Sequence, residues 1–149
     1  MKAVVQRVIK ANLKVDGELI SEIDKGCIVF LGVGLEDDEN DVIKLVNKIS
    51  KLRIYEDDNG KMNLSIKEIK GEILLVSQFT LFADCRHGNR PSFIYAQRPE
   101  RANELYLLMR DKLKNEDISV KTGVFGADMK IDVLNDGPVT ILLDSKELK

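Results

Sequence analysis

The sequence predicts an α/β fold: a single three-layer β/β/α domain of mixed sheets, with two main helices on one side. Three observations carry that expectation. Eight segments have the alternation, or the continuous apolar and β-branched character, of strands, in the order β-β-β-α-β-β-α-β-β-β. Two segments have the period of an amphipathic helix, and two helices cannot cover both faces of so large a sheet, so two packed sheets are expected with the helices against one of them. No repeat, linker or low-complexity stretch divides the 149 residues, which makes residues 1–149 one domain able to bury a core without staples.

The elements follow in order. Lys2 to Ile9 alternates around Val4, Val5 and Val8, and Ala11 to Val15 alternates again. Asp16-Gly17 is a turn signal before Glu18–Glu22. Gly26–Gly34 is apolar throughout, as a central strand would be, and no glycine-rich phosphate cradle follows it. The acids from Glu36 to Asp41 supply cap candidates and first-turn charges, and Val42, Leu45, Val46, Ile49 and Leu52 fall at helical spacing, giving a helix over 39–52. Arg53–Glu56 is a short strand, Asp58–Gly60 a turn, and 61–70 a Lys-containing solvated connection. Glu72 opens a strand that is read through to Phe82. Pro99 sits at the first turn of a second helix ending near Asn115, its buried stripe formed by Ala102, Leu105, Tyr106, Met109 and Leu113, for which core packing is the expected role. Ile118–Phe125, Met129–Leu134 and Val139–Leu143 close the chain as three strands.

Composition narrows the function classes. The chain is 44% hydrophobic and 32% charged with a formal net charge of −2, which argues against gripping DNA or other nucleic acid by bulk electrostatics. Trp is absent and aromatics are sparse, so no stacking surface is advertised. The two cysteines, Cys27 and Cys85, lie far apart without a CxxC, there is no signal-peptide pattern, and nothing approaches a membrane span. A cytoplasmic, reduced chain with no membrane partner is expected.

Candidate chemistry is confined to three stretches. In Glu72–Phe82 the apolar run Ile73–Val76 gives way to Ser77, Gln78 and Thr80, interleaved with Phe79, Leu81 and Phe82. Buried polar groups need partners, so either these side chains are satisfied internally as the strand leaves the core, or they line a pocket where a ligand satisfies them. Between Arg86 and Arg101 lie four arginines with Phe93 and Tyr95 between them and Glu100 opposing, either a solvated basic loop or a clamp for phosphates. In Asn135–Thr140, Pro138 falls between two strand-like runs, where it removes a ladder hydrogen bond; a turn, a strand start or a fixed cis bond would each explain it. The lone histidine, His87, sits in a loop, so no Ser-His-Asp or Cys-His system has a second histidine to draw on. One histidine and two distant cysteines lack the spacing of a zinc site, and no metal or cofactor is expected.

Ser77-Gln-Phe-Thr-Leu81 together with Asn135-Asp-Gly-Pro-Val-Thr140 resembles the signature pair of the D-aminoacyl-tRNA deacylases, also called D-tyrosyl-tRNA deacylases. The similarity extends through Val5–Val8, Phe30–Val33, Gly88–Pro91 and Phe125–Met129, essentially the whole chain. Asp136 stands directly before the glycine, where many members have another residue. The resemblance implies the fold of that family and hydrolysis of the ester joining a D-amino acid to the terminal adenosine of a tRNA. It implies a homodimer with active sites at the subunit interface, the aminoacylated tRNA 3′ end as partner, and a cis Gly137-Pro138 reaching from one subunit into the pocket of the other as the chiral filter. Ser77, Gln78, Phe79 and Thr80 would line the pocket for the adenosine and ester as catalytic residues. Phe125 and Met129 would lie against the adenine, Arg7 would buttress the Gly-Pro carbonyls, and Ala96 would offer backbone contact.

Backbone carbonyls that capture an amino group are blind to the side chain, so one such pocket can serve many D-amino acids. A wall fixed by backbone rejects the L hand by exclusion, and glycine, having no side chain, would pass it. Thr80 as nucleophile lacks an evident base; the resemblance, and that missing base with it, favours assistance by the terminal ribose hydroxyl with backbone N–H groups near Phe79 and Thr80 holding the oxyanion. A non-catalytic small-molecule or tRNA-end binder, or a Gly-Pro that is merely a dimer turn, are the readings from other classes.

Overall fold

The computed structural model describes residues 1–149. The element order is β1 (Lys2–Val15), β2 (Glu18–Ile23), β3 (Gly26–Gly32), α1 (Glu39–Ile49), β4 (Tyr55–Glu56), β5 (Met62–Leu64), β6 (Glu72–Ser77), a 3₁₀ turn (Phe79–Phe82), α2 (Pro99–Asn115), β7 (Ser119–Thr122) and β8 (Lys130–Asp144). The β/β/α layering expected from the sequence is present, but its two β layers belong to one six-stranded sheet, ordered β2-β1-β3-β6-β7 with β8 on the other edge of β1. β1 makes this possible by changing partner along its length. Its first half pairs with β3 and its second half with β2, while β8 follows it throughout. The sheet therefore folds back until β2 meets β7, where Ser21 Oγ donates to the Thr122 carbonyl at 2.5 Å and Lys121 Nζ to the Glu22 carbonyl at 2.6 Å.

Two cores result. Between the folded halves of the sheet lie Val8, Ala11, Leu13, Ile23, Ile28, Leu74 and Val76. On the other face, Val5, Val29, Leu31, Ile73 and Leu75 pack against Val42, Leu45 and Ile49 of α1 and Leu105, Met109 and Leu113 of α2. That division explains why β3 and β6 read as continuous apolar runs: both faces are covered, and the two strands pair in parallel.

Boundaries differ from the sequence reading in instructive ways. Lys2–Ile9 and Ala11–Val15 are one strand, whose ladder with β8 shifts register twice near Val8. Met129–Leu134 and Val139–Leu143 are likewise one strand, β8. The strand expected over Ile118–Phe125 is confined to Ser119–Thr122, and the supposed connection 61–70 contributes β5 to a small ribbon with β4. Helix α1 opens with Asp38 as N-cap and Asp41 closing a capping box, and ends at Ile49 rather than 52. Helix α2 spans 99–115 with Pro99 in its first turn, as read.

Candidate active site

A cavity of about 610 Å³ opens at the C-terminal end of β6, walled by the segment from Phe93 to Pro99, the first turns of α2 and the Phe125–Ile131 stretch. Its size suits a nucleoside-scale ligand. Of the residues singled out from the sequence, Ser77, Gln78, Phe79, Ala96, Phe125 and Met129 all line it. Thr80 does not, and neither do Arg7, Gly137 or Pro138 of the same chain.

The β6 end is shaped by a change of backbone. The strand expected to run to Phe82 stops at Ser77, Gln78 N donates to the Leu31 carbonyl at 2.8 Å, and the chain turns into a 3₁₀ segment. In such a turn the leading amides have no internal acceptor, which leaves the N–H groups of Phe79 and Thr80 available beside the cavity. Gln78 Nε2 donates to the Thr80 hydroxyl, so this amide and hydroxyl satisfy one another at the surface. Two glycines on β3 and its exit admit the turn. A Cβ on Gly32 would lie 3.0 Å from that of Leu81, and one on Gly34 would lie 2.5 Å from the Phe82 ring.

The opposite wall is held by backbone. Gln97 N donates to the Val33 carbonyl at 2.9 Å and Leu35 N to the Tyr95 carbonyl at 3.1 Å, which seats Ala96 against the end of β3. Tyr106 packs in the core as expected and also reaches the cavity. It is buried, its hydroxyl donates to the Leu75 carbonyl at 2.8 Å, and its ring packs 5.8 Å from that of Phe125 while also facing the cavity. Phe93, which the sequence places only in the arginine-rich stretch, and Gln97, to which it gives no role, line the cavity too. Phe93 meets Phe79 edge to face at 4.9 Å. Only the closing of the 93–97 segment onto β3 brings them there, and no local pattern announces it.

No residue lining the cavity is a histidine or cysteine, and its one carboxylate, Asp128, is exposed and paired with Lys130 at 3.0 Å. His87 is exposed in the loop and does not line this cavity.

Gly137 and Pro138 form a separate feature. Gln6 pairs with Thr140 and Val8 with Asn135, so Arg7 alone faces Asp136–Val139, and the ladder opens around it. That opening accommodates Pro138 inside a strand. The Gly137-Pro138 bond is cis, and both residues are exposed. Gly137 has φ +130°, and a Cβ there would lie 2.8 Å from the Val139 nitrogen. Arg7, itself buried, donates from Nε to the Asp136 carbonyl at 3.1 Å and from Nη1 to the Ile54 carbonyl at 2.7 Å. The expected buttress thus acts one residue ahead of the Gly-Pro carbonyls, because the residue opposite Arg7 at the entrance of the bulge is Asp136. Behind it, burial pushes the Cys27 thiol up to about 12.

The arginine-rich stretch is less free than its sequence implies. Arg86 pairs with Asp84 at 2.7 Å, holding that carboxyl down to about 2, and Arg101 pairs with Glu39 and Glu104 at 2.7 and 2.9 Å. Glu100 is therefore not the only opposing acid.

Residues 4–144 match the family model described as D-Tyr-tRNA(Tyr) deacylase. The chain is 54% identical over 149 residues to the D-aminoacyl-tRNA deacylase of Dictyoglomus turgidum, covering 100% of this chain and 96% of that one. A solved structure titled c-Myc DNA Unwinding Element Binding Protein superposes with a TM-score of 0.91 at 43% identity, covering 97% of this chain and 98% of its own. A second, a probable eukaryotic D-amino acid tRNA deacylase, has the same fold at a TM-score of 0.81 and 15% identity, over 95% and 97% of the two chains. The chain belongs to the D-Tyr-tRNA(Tyr) deacylase family.

Proposed function

We propose that the protein hydrolyses the ester of D-aminoacyl-tRNAs, and of glycine mischarged on tRNA, in the cytoplasm, releasing the free amino acid and tRNA. The observation that carries this reading is the cavity itself, which gathers Ser77, Gln78 and Phe79 with Ala96, Phe125 and Met129 yet contains no base that would activate a hydroxyl. In this reading the terminal adenosine sits against Phe125 and Met129 with its ester at the β6 end. The ribose hydroxyl beside the ester assists attack by water, and the N–H groups of Phe79 and Thr80 receive the oxyanion. Gly137 and Pro138 act in the cavity of a second copy. Their exposure on the surface, away from their own cavity, supports that assignment. Their backbone carbonyls take the substrate's amino group, and the fixed chain excludes an L side chain.

The test is incubation of the purified protein with D-Tyr-tRNA, L-Tyr-tRNA and a D-Tyr-tRNA lacking the free ribose hydroxyl next to the ester. Loss of the first ester with persistence of the other two is expected. A D-ester that survives prolonged exposure would make the protein a binder rather than a hydrolase. Cleavage of the deoxy substrate at an undiminished rate would remove the ribose from the mechanism.

A further inference from the structure

Of the seven arginines, five have side-chain partners: Arg7 with Asp136, Arg53 with Asn63, Arg86 with Asp84, Arg101 with Glu39 and Glu104, and Arg110 with Asp111. Arg90 and Arg98 have none, and both are exposed. They bracket Phe93 and Tyr95, residues that are 37% and 46% exposed although aromatics are scarce in this chain. The segment between them is not a loose loop. Asp84 and Ser92 exchange backbone hydrogen bonds of 2.7 and 3.0 Å, Ala96 N donates to the Phe93 carbonyl, and Tyr95 and Gln97 are tied to Leu35 and Val33. The backbone therefore presents these side chains on a fixed frame. The same segment divides the nucleoside-sized cavity from a second one of about 820 Å³, and Tyr95 faces the second together with the Phe82 ring.

We infer that Arg90, Phe93, Tyr95 and Arg98 form a platform for unpaired RNA, on which the nucleotides preceding the terminal adenosine of a tRNA stack as they leave the catalytic cavity. The inference rests on the proposed function for the occupant of the first cavity. Arg86 lies 6.0 Å from the Tyr95 ring centroid and donates to its hydroxyl at 3.2 Å, which holds the ring in place. Exposed aromatic rings accept bases without regard to sequence, and free guanidinium groups take the phosphates between them. Continuity with the cavity decides the occupant. Phe93 lines the cavity and touches Phe79, so a strand emerging from the adenosine position meets this surface first. Net charge and aromatic count conceal such a feature, because it depends on where two cations are left free rather than on how many there are.

The experiment compares two substrates and one ligand. With D-Tyr-tRNA, Tyr95→Ala raises KM about tenfold, the scale of one lost base stack. Arg90→Ala with Arg98→Ala lowers the slope of log KM against log salt by about 1.4, as two single-strand phosphate contacts predict. With D-tyrosyl-adenosine, which has no preceding nucleotide, both variants match the wild type. A fluorescent single-stranded RNA ending in CCA gives the readout that does not depend on catalysis: its affinity falls in both variants. Absence of that fall overturns the platform whatever the enzyme assays give, and so does an equal loss on the short and long substrates. A change from dimer to monomer in Tyr95→Ala, read by analytical ultracentrifugation, also overturns it by making the face a contact between copies. Failure of the wild type to cleave either ester, with the RNA contrast intact, supports the platform and falls on the proposed activity alone.

Discussion

Two polar clusters flank the short segment Val33–Asp37, and they follow opposite plans. On one side, the Met1 ammonium lies 2.7 Å from Asp37 Oδ1 and donates to Ser145 Oγ at 2.5 Å, Ser145 Oγ donates to Asp41 Oδ1 at 2.6 Å, and Lys146 Nζ reaches Asp41 Oδ2 at 2.9 Å. Asp37 also accepts the Gly34 N–H at 2.6 Å. Every charge there faces an opposite charge or a donor, and Asp37, Asp41 and Ser145 are buried. On the other side, Ser77, Gln78 and Phe79 border the cavity with a hydroxyl and a backbone amide that no charged group meets, while the Gln78 amide and the Thr80 hydroxyl bond each other beside it. The first cluster is closed and joins β1, α1 and the C-terminal segment; the second is open. Polar groups left open beside a cavity of this size are ones that a ligand can complete.

The largest expected effect comes from opening the closed cluster. Asp37→Ala leaves the Gly34 N–H and the ammonium without their carboxylate, and removing one partner of a buried pair costs about 3 kcal/mol. Guanidinium denaturation should show a lower midpoint with little change in slope. The same variant should also weaken substrate binding, since Gly34 bridges to Ala96 on the cavity wall. An unchanged midpoint would show that the cluster is not what holds this segment.

A smaller effect is expected from acid. Burial alone would raise the Asp41 carboxyl, but bonds from Ser145, the Asp38 turn and Lys146 outweigh it and hold the group down to about 2. A carboxylate whose folded value is depressed stabilises the fold above its ordinary value near 3.8 and loses that contribution as pH falls toward 2. Stability should therefore decline across that window in the wild type and more shallowly in Asp41→Asn. Parallel acid limbs for the two proteins would assign the decline to other carboxylates.

What the sequence disclosed follows the same division. Elements whose pattern is local were legible: α2 with Pro99 and its stripe, the Asp38–Asp41 start of α1, and the apolar runs of β3 and β6. A strand that changes partner or bulges reads as two, because the hydrophobic pattern lapses there although the backbone continues. Lys10 in β1 and Asp136–Val139 in β8 are the cases in point. The end of β6 was missed for the converse reason. Phe79, Leu81 and Phe82 look like strand residues, and only the bare backbones of Gly32 and Gly34 allow the chain to turn there. In the site, Ser77–Phe79, Phe125 and Met129 were found through motifs, whereas Phe93, Gln97 and Tyr106 arrive through tertiary closure. The arginine stretch could not be apportioned until Glu39, sixty-two residues from Arg101, came into view.

The smallest effect bears most directly on the open cluster. Thr80 is the residue that chemical habit would make a nucleophile. Its hydroxyl lies outside the cavity lining, exposed, and is bonded by Gln78, with no histidine or lysine placed to take its proton. Its amide, by contrast, leads the 3₁₀ turn beside the cavity. Thr80→Ala removes the hydroxyl and keeps the amide, so kcat for D-Tyr-tRNA should remain within about threefold of wild type and the denaturation midpoint should not move. Single-turnover kinetics with enzyme in excess separates chemistry from binding. A fall in the chemical step of about a hundredfold or more, with binding intact, would return the hydroxyl to the centre of the reaction.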